Sequence, residues 1–152
     1  MKQIRIKVNK IIERFLVLIL LGMVLNVIWQ VFTRFFTSSP SAFTNELARY
    51  LMIWLGILGA AYISGKQEHV AIDFFVKKLN NSLRRFIDRF VLFSILSFAF
   101  FVMIIGGFNL VYITLKLEQY SPSLQIPLAL VYSIIPISGL LIIFYKVTQE
   151  KS

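Results

Sequence analysis

The chain has 152 residues, of which 58% are hydrophobic, and a formal net charge of +9 at pH 7. A water-soluble core could not bury that much apolar surface, so the composition indicates an integral membrane protein with a single domain, residues 1–152. With no cysteine and one histidine, the chain excludes disulfides, thiolate metal sites and a haem held by two of its own histidines. The basic residues lie between apolar runs, so they indicate topology and contact with anionic membrane lipid rather than nucleic-acid binding.

Four apolar runs are long enough to cross a bilayer, whose hydrocarbon core of about 30 Å requires about 20 helical residues. We predict transmembrane helices at roughly 11–36, 43–64, 86–115 and 124–144. Pro40 disfavours helix in the first loop, and Pro136 predicts a kink inside the fourth helix. Gly65 follows the second run and can take the left-handed conformation that ends a helix there.

Basic residues are concentrated before the first predicted helix, between the second and third, and after the fourth. By the positive-inside rule, we expect both termini in the cytoplasm. The loop between the second and third helices mixes apolar and charged residues, which predicts a short amphipathic interfacial helix at roughly 70–83; an ordinary loop is the alternative. The candidates for contacts with lipid headgroups are Lys77, Lys78, Arg84 and Arg85.

Three polar residues follow one side of the outer half of the first helix. Asn26, Gln30 and Arg34 recur every four residues and therefore form a stripe. We interpret Asn26 and Gln30 as buried against another helix or lining a polar cavity, and Arg34 as snorkelling or paired. The alternative is that Arg34 snorkels and the two amides are incidental.

The second helix carries an acid and a base at its start. Glu46 lies in its first turn, where an acid favours the positive end of the helix, and Arg49 lies one turn deeper and can pair with it. Arg34 is expected at the same depth, so Glu46 can also bridge the two arginines and join the first two helices. The simpler interpretation is the local pair alone.

Small residues follow along the same helix. Gly56, Ala60 and Ser64 recur every four residues and would let another helix approach closely. Trp54 is amphipathic, and the sequence leaves open whether it packs inside the bundle or anchors at the interface.

The sequence offers no recognisable catalytic or cofactor site. Glu68, His69 and Asp73 could ligate a metal in principle, but three mixed ligands beside a membrane loop favour hydrogen bonding instead. The chain has no phosphate loop, nucleophile elbow or HExxH motif, and no carboxylate in the middle of a predicted helix, where a proton-coupled carrier normally places one. We therefore predict no catalytic residue, no metal and no cofactor, and interpret the chain as a membrane scaffold that needs a partner.

The stretch FTNELARYLMIWLGILGAAYISGKQEHVAIDFF, residues 43–75, resembles the small membrane subunit, of the DctQ type, of tripartite ATP-independent periplasmic (TRAP) transporters. That family shows an acid followed by Leu-Ala-Arg-Tyr, then a Trp, a Gly-Ala-Ala step, a Glu-His pair and an Asp. The matching residues are Glu46, Leu47, Ala48, Arg49, Tyr50, Trp54, Gly59, Ala60, Ala61, Glu68, His69 and Asp73. Further matches are Arg34, Ile126, Pro127, Tyr132 and Pro136. The chain departs from the pattern at Asn45, where many relatives carry a second acid, and at residues 64–67, where relatives often have more arginine.

The resemblance implies a role that composition does not show. Such a subunit scaffolds a large multi-span subunit of the DctM type, which carries the substrate and sodium sites. A periplasmic substrate-binding protein delivers an organic acid, such as a sialic acid or a C4-dicarboxylate, and a sodium gradient drives import. The expected location is the bacterial inner membrane, and the expected role is transport rather than enzymatic catalysis.

Two other functions remain as alternatives. A self-sufficient four-helix transporter of the multidrug type depends on a buried glutamate in its first helix, where this chain has only Glu13 at the edge. A membrane anchor of a respiratory complex is disfavoured by the single histidine.

Overall fold

The computed structural model describes residues 2–37, 42–66 and 81–149, which form helices and loops without an extended strand among them. The helices are α1 (Lys2–Thr37), α2 (Ala42–Gly65), α3 (Asn81–Ser97), a π-helical segment (Phe98–Gly106), α4 (Gly107–Lys116), α5 (Leu128–Tyr132) and α6 (Ile134–Gln149). Four helical stretches are long and apolar enough to span a membrane: Gln3–Phe36, Ala42–Gly65, Arg85–Lys116 and Leu128–Thr148. The predicted all-α membrane fold with four spans is confirmed. The predicted interfacial helix falls largely on residues 67–80, outside the described residues.

The lack of charged residues explains why these stretches are helical. Each span contains a long run without Asp, Glu, Lys or Arg, and the runs cover residues 15–33, 50–65, 90–115 and 119–145. In hydrocarbon, every backbone N–H and C=O needs a partner within the protein, and a helix provides these partners within one segment. Hydropathy therefore fixes both the existence and the type of these elements.

The fourth span lies at the centre of the bundle. α1 packs against α2, α2 packs against α6, and α6 packs against the π-helical segment. In the most apolar window of the fourth span 44% of residues are buried, whereas each of the other three spans has 11% buried. Two core clusters surround it: Ile12, Leu58, Ile134 and Tyr145 form one, and Ala61, Ala99, Met103 and Ile142 form the other.

The third and fourth spans are both irregular where they meet. The fourth is interrupted at Ser133, one turn before Pro136, whose missing N–H leaves the helical ladder incomplete. The π-helical segment was not predicted. Close packing surrounds it: a Cβ added at Gly107 would lie 2.9 Å from Pro136 Cδ, and one at Gly139 would lie 2.9 Å from Met103 Cβ. Small residues thus let the two spans approach closely.

Chain direction gives the bundle two distinct ends. The loop end contains the end of α1, the start of α2 and the loop of residues 117–127. The terminal end contains the starts of α1 and α3 and the ends of α2 and α6. Contacts between side chains from distant parts of the sequence hold each end together, and the candidate site is built from those at the loop end.

Candidate functional site

Glu46, in the first turns of α2, binds the loop between the third and fourth spans. Its Oε2 atom accepts hydrogen bonds from Ser121 Oγ, from the backbone N–H of Ser123 at 3.0 Å and from that of Leu124 at 3.2 Å. Ser121 is fully buried, and its Oγ also accepts a hydrogen bond from the Leu124 N–H at 3.3 Å. Three donors directed at one oxygen are the partners that an ionised carboxylate satisfies best. We call these four residues the Glu46 clamp.

The loop held by the Glu46 clamp also has backbone structure of its own. The Ser121 N–H donates to the Ile126 carbonyl at 2.9 Å, and the Leu128 N–H donates to the Gln119 carbonyl at 2.9 Å. Gln125 adopts a φ of 55°, the left-handed conformation that allows the chain to turn back. The clamp therefore fastens an already folded loop to α2.

Glu46 has a different main partner from the one predicted. Among the described residues, no ion pair within 4.0 Å joins Glu46 to Arg49 or Arg34, and both arginines are exposed. The physical reason is that donors of the 117–127 loop, about 75 residues away along the chain, converge on Oε2 of the carboxylate that Arg49 was expected to pair with.

The two amides of the first span face α2. Asn26 is buried, and its Nδ2 donates to the Thr44 carbonyl at 2.8 Å. Gln30 Nε2 donates to Asn45 Oδ1 at 2.6 Å in a more exposed position. These contacts join α1 to the start of α2, next to the Glu46 clamp.

Trp54 packs inside the bundle and connects α2 to the fourth span. Its Nε1–H donates to the Val131 carbonyl at 3.0 Å, and its ring lies 5.9 Å from the Phe15 ring, centroid to centroid. Val131 lies in the last turn of α5, where carbonyls lack a regular intrahelical partner. Trp54 thus supplies a donor where the interruption at Ser133 leaves an acceptor.

Gly56 and Ala60 differ from these residues because both are exposed. A Cβ added at Gly56 would meet no atom within 4 Å, so no described part of the chain uses the space beside it. The third member of the predicted stripe, Ser64, has its Oγ buried with no hydrogen-bond partner among the described residues. The structure therefore separates the predicted partner-facing residues into an internal set and an exposed set.

The predicted headgroup contacts are described only in part. Arg85 is exposed at the start of the third span, and Arg84 lies in α3. Lys77 and Lys78 lie outside the described residues, as do the residues considered for a metal, Glu68, His69 and Asp73.

The sequence did not predict a junction at the terminal end. Tyr145 is fully buried, and its hydroxyl donates to Asn9 Oδ1 at 2.7 Å. A Cβ added at Gly65 would lie 2.8 Å from the Tyr145 ring, and Arg5 donates to the Gly65 carbonyl. No described glycine has a positive φ, so the left-handed conformation expected at Gly65 was wrong; the glycine makes room for Tyr145.

Glu13 extends this junction between α1 and α2. Its carboxylate accepts a hydrogen bond from the Tyr62 hydroxyl and lies 3.7 Å from Lys66 Nζ, which stands 4.7 Å from the centre of the Tyr62 ring. The available sequence signal was a carboxylate, a tyrosine and a lysine at span ends that chain direction brings together. A hydropathy profile marks these positions only as the ends of the spans and does not indicate that they are in contact.

Comparison of the sequence with known proteins identifies a family. Residues 23–149 match the profile of the family described as tripartite ATP-independent periplasmic transporters, DctQ component. A protein of Haemophilus influenzae named as a TRAP transporter small permease protein is 28% identical over 142 residues, which cover 93% of this chain and 86% of that protein. The C4-dicarboxylate TRAP transporter small permease protein DctQ of Rhodobacter capsulatus is 35% identical over 102 residues, 66% of this chain and 44% of that protein.

A third relative is a different kind of permease chain. The sialic acid TRAP transporter permease protein SiaT of Haemophilus influenzae is 37% identical over 62 residues, which cover 41% of this chain but only 10% of that protein. The family profile covers most of the four-helix bundle, including the Glu46 clamp. The chain therefore belongs to the DctQ family of tripartite ATP-independent periplasmic transporters, whose members are transport components and not enzymes.

Proposed function

We propose that this chain is the small permease subunit of a sodium-coupled, binding-protein-dependent TRAP transporter that imports an organic acid. In this role it scaffolds a large multi-span subunit of the DctM type, which carries the substrate and sodium sites. A periplasmic binding protein delivers the acid. The interior of the bundle is the observation that carries this proposal.

The core clusters of the described spans are apolar. A carboxylate inside a membrane protein requires cationic or hydrogen-bonding partners, because desolvating it without them is very unfavourable. The uncharged runs of the four spans pack into apolar clusters. A groove of about 650 Å³ between α1 and α2 is lined almost entirely by apolar residues such as Leu25, Trp29, Phe32 and Phe43. This apolar interior supports a substrate site in another subunit.

The relatives support a partner and a class of substrate. A part of this chain is similar to a tenth of SiaT, a longer permease chain, which is what we expect if this fold works beside a large permease. The names of the relatives divide between sialic acid and C4-dicarboxylate, and both are organic acids. Either fits the proposal, and the acid is selected by the partners.

The charges support one orientation in the inner membrane. The terminal end carries most of the basic residues, so we place both termini in the cytoplasm and the loop end in the periplasm. Arg85 and the other basic residues of the segment between the second and third spans then contact anionic lipid headgroups. In this orientation the Glu46 clamp lies on the periplasmic side, where a soluble binding protein arrives.

Reconstitution tests the proposal. We expect no sodium-driven uptake of labelled sialic acid or succinate in proteoliposomes that contain this chain alone. Uptake should appear when the large subunit and the binding protein encoded with it are added, and it should disappear when the sodium gradient is removed. Uptake by the chain alone would contradict the scaffold role.

The multidrug alternative fits the structure poorly, because Glu13 is already bound by Tyr62 and Lys66.

A further inference from the structure

One side of α2 is exposed along nearly its whole length. The exposed residues follow each other at steps of three or four, which places them on a single stripe of the helix. They are Asn45, Arg49, Met52, Gly56, Ala60 and Ile63. We call this stripe the α2 face.

The α2 face differs from the surfaces that suit lipid. The exposed side of α1 carries bulky apolar residues such as Leu25 and Ile28, which are 67% and 60% exposed. The α2 face instead has a glycine and an alanine at its centre, one turn apart. Small residues at this spacing are typical of contacts between transmembrane helices, because they let the backbones approach closely.

Arg49 supplies an independent charge argument. It lies seven residues into the span, about 10 Å along the helix axis from Ala42 at 1.5 Å per residue. Its guanidinium is exposed, and the nearest acid in the sequence, Glu46, directs its carboxylate to the 117–127 loop instead. A cation at that depth favours a partner that brings a carboxylate.

We propose that the α2 face is the docking surface for a transmembrane helix of the large permease subunit, and that this helix brings an acidic side chain to Arg49. The inference rests on the proposed function and names the surface through which the scaffold acts. A second copy of the chain is the wrong occupant, because two copies with the same orientation would place Arg49 opposite Arg49. Lipid alone gives no reason for a glycine and an alanine at the centre of the stripe.

Site-directed crosslinking in the full transporter tests the occupant. The chain has no cysteine, so a single cysteine at Gly56 or Ala60 can carry a photoactivated maleimide reagent. We expect crosslinks to the large subunit from both positions, and several-fold fewer from control cysteines at Leu25 and Ile28 on α1. Crosslinks from Gly56 and Ala60 to a second copy of this chain or to lipid alone would overturn the inference. Equal crosslinking from the controls would also overturn it.

Variants test the chemistry of the surface. Gly56→Leu fills open space, and Arg49→Glu reverses the charge offered to the partner. Each should lower the amount of large subunit that co-purifies by about tenfold, the change produced by about 1.4 kcal/mol of binding free energy. The matched control Arg34→Glu, an exposed arginine on α1, should have less than about a twofold effect, well below that tenfold step. The isolated variants should remain monodisperse, because the space beside Gly56 is open and Arg49 is exposed.

Two failures are distinguishable. If the native chain does not co-purify with the large subunit at all, the proposed function fails and the inference fails with it. If the native complex forms and transports, but Arg49→Glu and Gly56→Leu bind as well as Arg34→Glu, the docking surface is wrong while the function stands.

Discussion

At Glu46, one carboxylate oxygen accepts three hydrogen bonds from a loop that lies about 75 residues away in the sequence. The carboxylate does for this loop what a capping residue does for a helix end, since it accepts hydrogen bonds from the backbone N–H groups of Ser123 and Leu124. Glu46, which was expected to form an ion pair, thus joins the second span to the loop after the third through hydrogen bonds. The consequence is a loop of fixed shape at the end of the bundle that we assign to the periplasm.

The first prediction separates this clamp from the ion pair predicted at first. In the isolated chain, Glu46→Gln should loosen the 117–127 loop, because a neutral amide is a weaker acceptor for three donors. A spin label at the exposed Pro122 should become clearly more mobile, and the apparent melting temperature should fall. The matched control Arg49→Gln should leave both readings close to native, since Arg49 has no ion pair to Glu46 within 4.0 Å. If the two variants mobilise the loop equally, the local pair is the main interaction after all.

The second prediction uses the two tryptophans of the chain as a matched pair. Trp54→Phe keeps an aromatic ring beside Phe15 but removes the donor to the Val131 carbonyl, so we expect the free energy of unfolding to fall by about 1 kcal/mol. Trp29→Phe should have almost no effect, because Trp29 is 57% exposed. Denaturant unfolding in detergent micelles measures both. A cost at Trp29 equal to that at Trp54 would show that loss of ring area, and not of the hydrogen bond, is being measured.

Among the helices, α2 is tightly packed at its end and has open space beside it in its middle. At Gly65 the helix meets the Tyr145 ring, which is fixed by the hydrogen bond to Asn9. At Gly56 the helix meets nothing within 4 Å. A larger side chain should therefore be tolerated at Gly56 but not at Gly65.

The third prediction follows from this contrast. Gly65→Ala should destabilise the chain by about 1–3 kcal/mol, because its Cβ would lie 2.8 Å from a ring that has little freedom to move. Gly56→Ala should leave stability unchanged or raise it slightly, since alanine is the better helix former. Thermal unfolding of the two purified variants decides between these outcomes. Equal stability of the two would mean that Tyr145 repacks without difficulty.

The elements differ in how far the sequence predicts them. The four spans follow from hydropathy, because lipid leaves an apolar run little choice except a helix. The π-helical segment has no comparable signal, since a shift from i→i+4 to i→i+5 bonding leaves no pattern of residue types. Asn26 and Gln30 lie on the predicted stripe. Their contacts to α2 could be predicted because α1 and α2 are consecutive in the sequence and pack side by side. The partner of Glu46 did not follow, because it depends on the fold of a loop that is far away in sequence.

For the whole molecule, the charges of the two ends set the orientation. The terminal end carries basic residues at the start of α1, at Lys66 and in α3. The loop end carries Arg34, Arg49 and Lys116 together with Glu46 and Glu118. Positive charge in short loops resists translocation, so this asymmetry favours one topology. The same topology places the Glu46 clamp and Arg49 toward the periplasm.

The last prediction tests this orientation directly. Single cysteines at Lys77 and at Pro122 place a thiol on opposite sides of the membrane in our assignment, and the native chain has no other cysteine. In intact cells, an impermeant maleimide should label the cysteine at Pro122, and it should label the one at Lys77 only after the inner membrane is disrupted. The exposed Pro122 side chain makes the first reaction sterically open. Labelling at Lys77 but not at Pro122 in intact cells would reverse the topology and move the Glu46 clamp to the cytoplasm. The α2 face would remain available in that case, because a transmembrane partner reaches it from within the bilayer in either orientation.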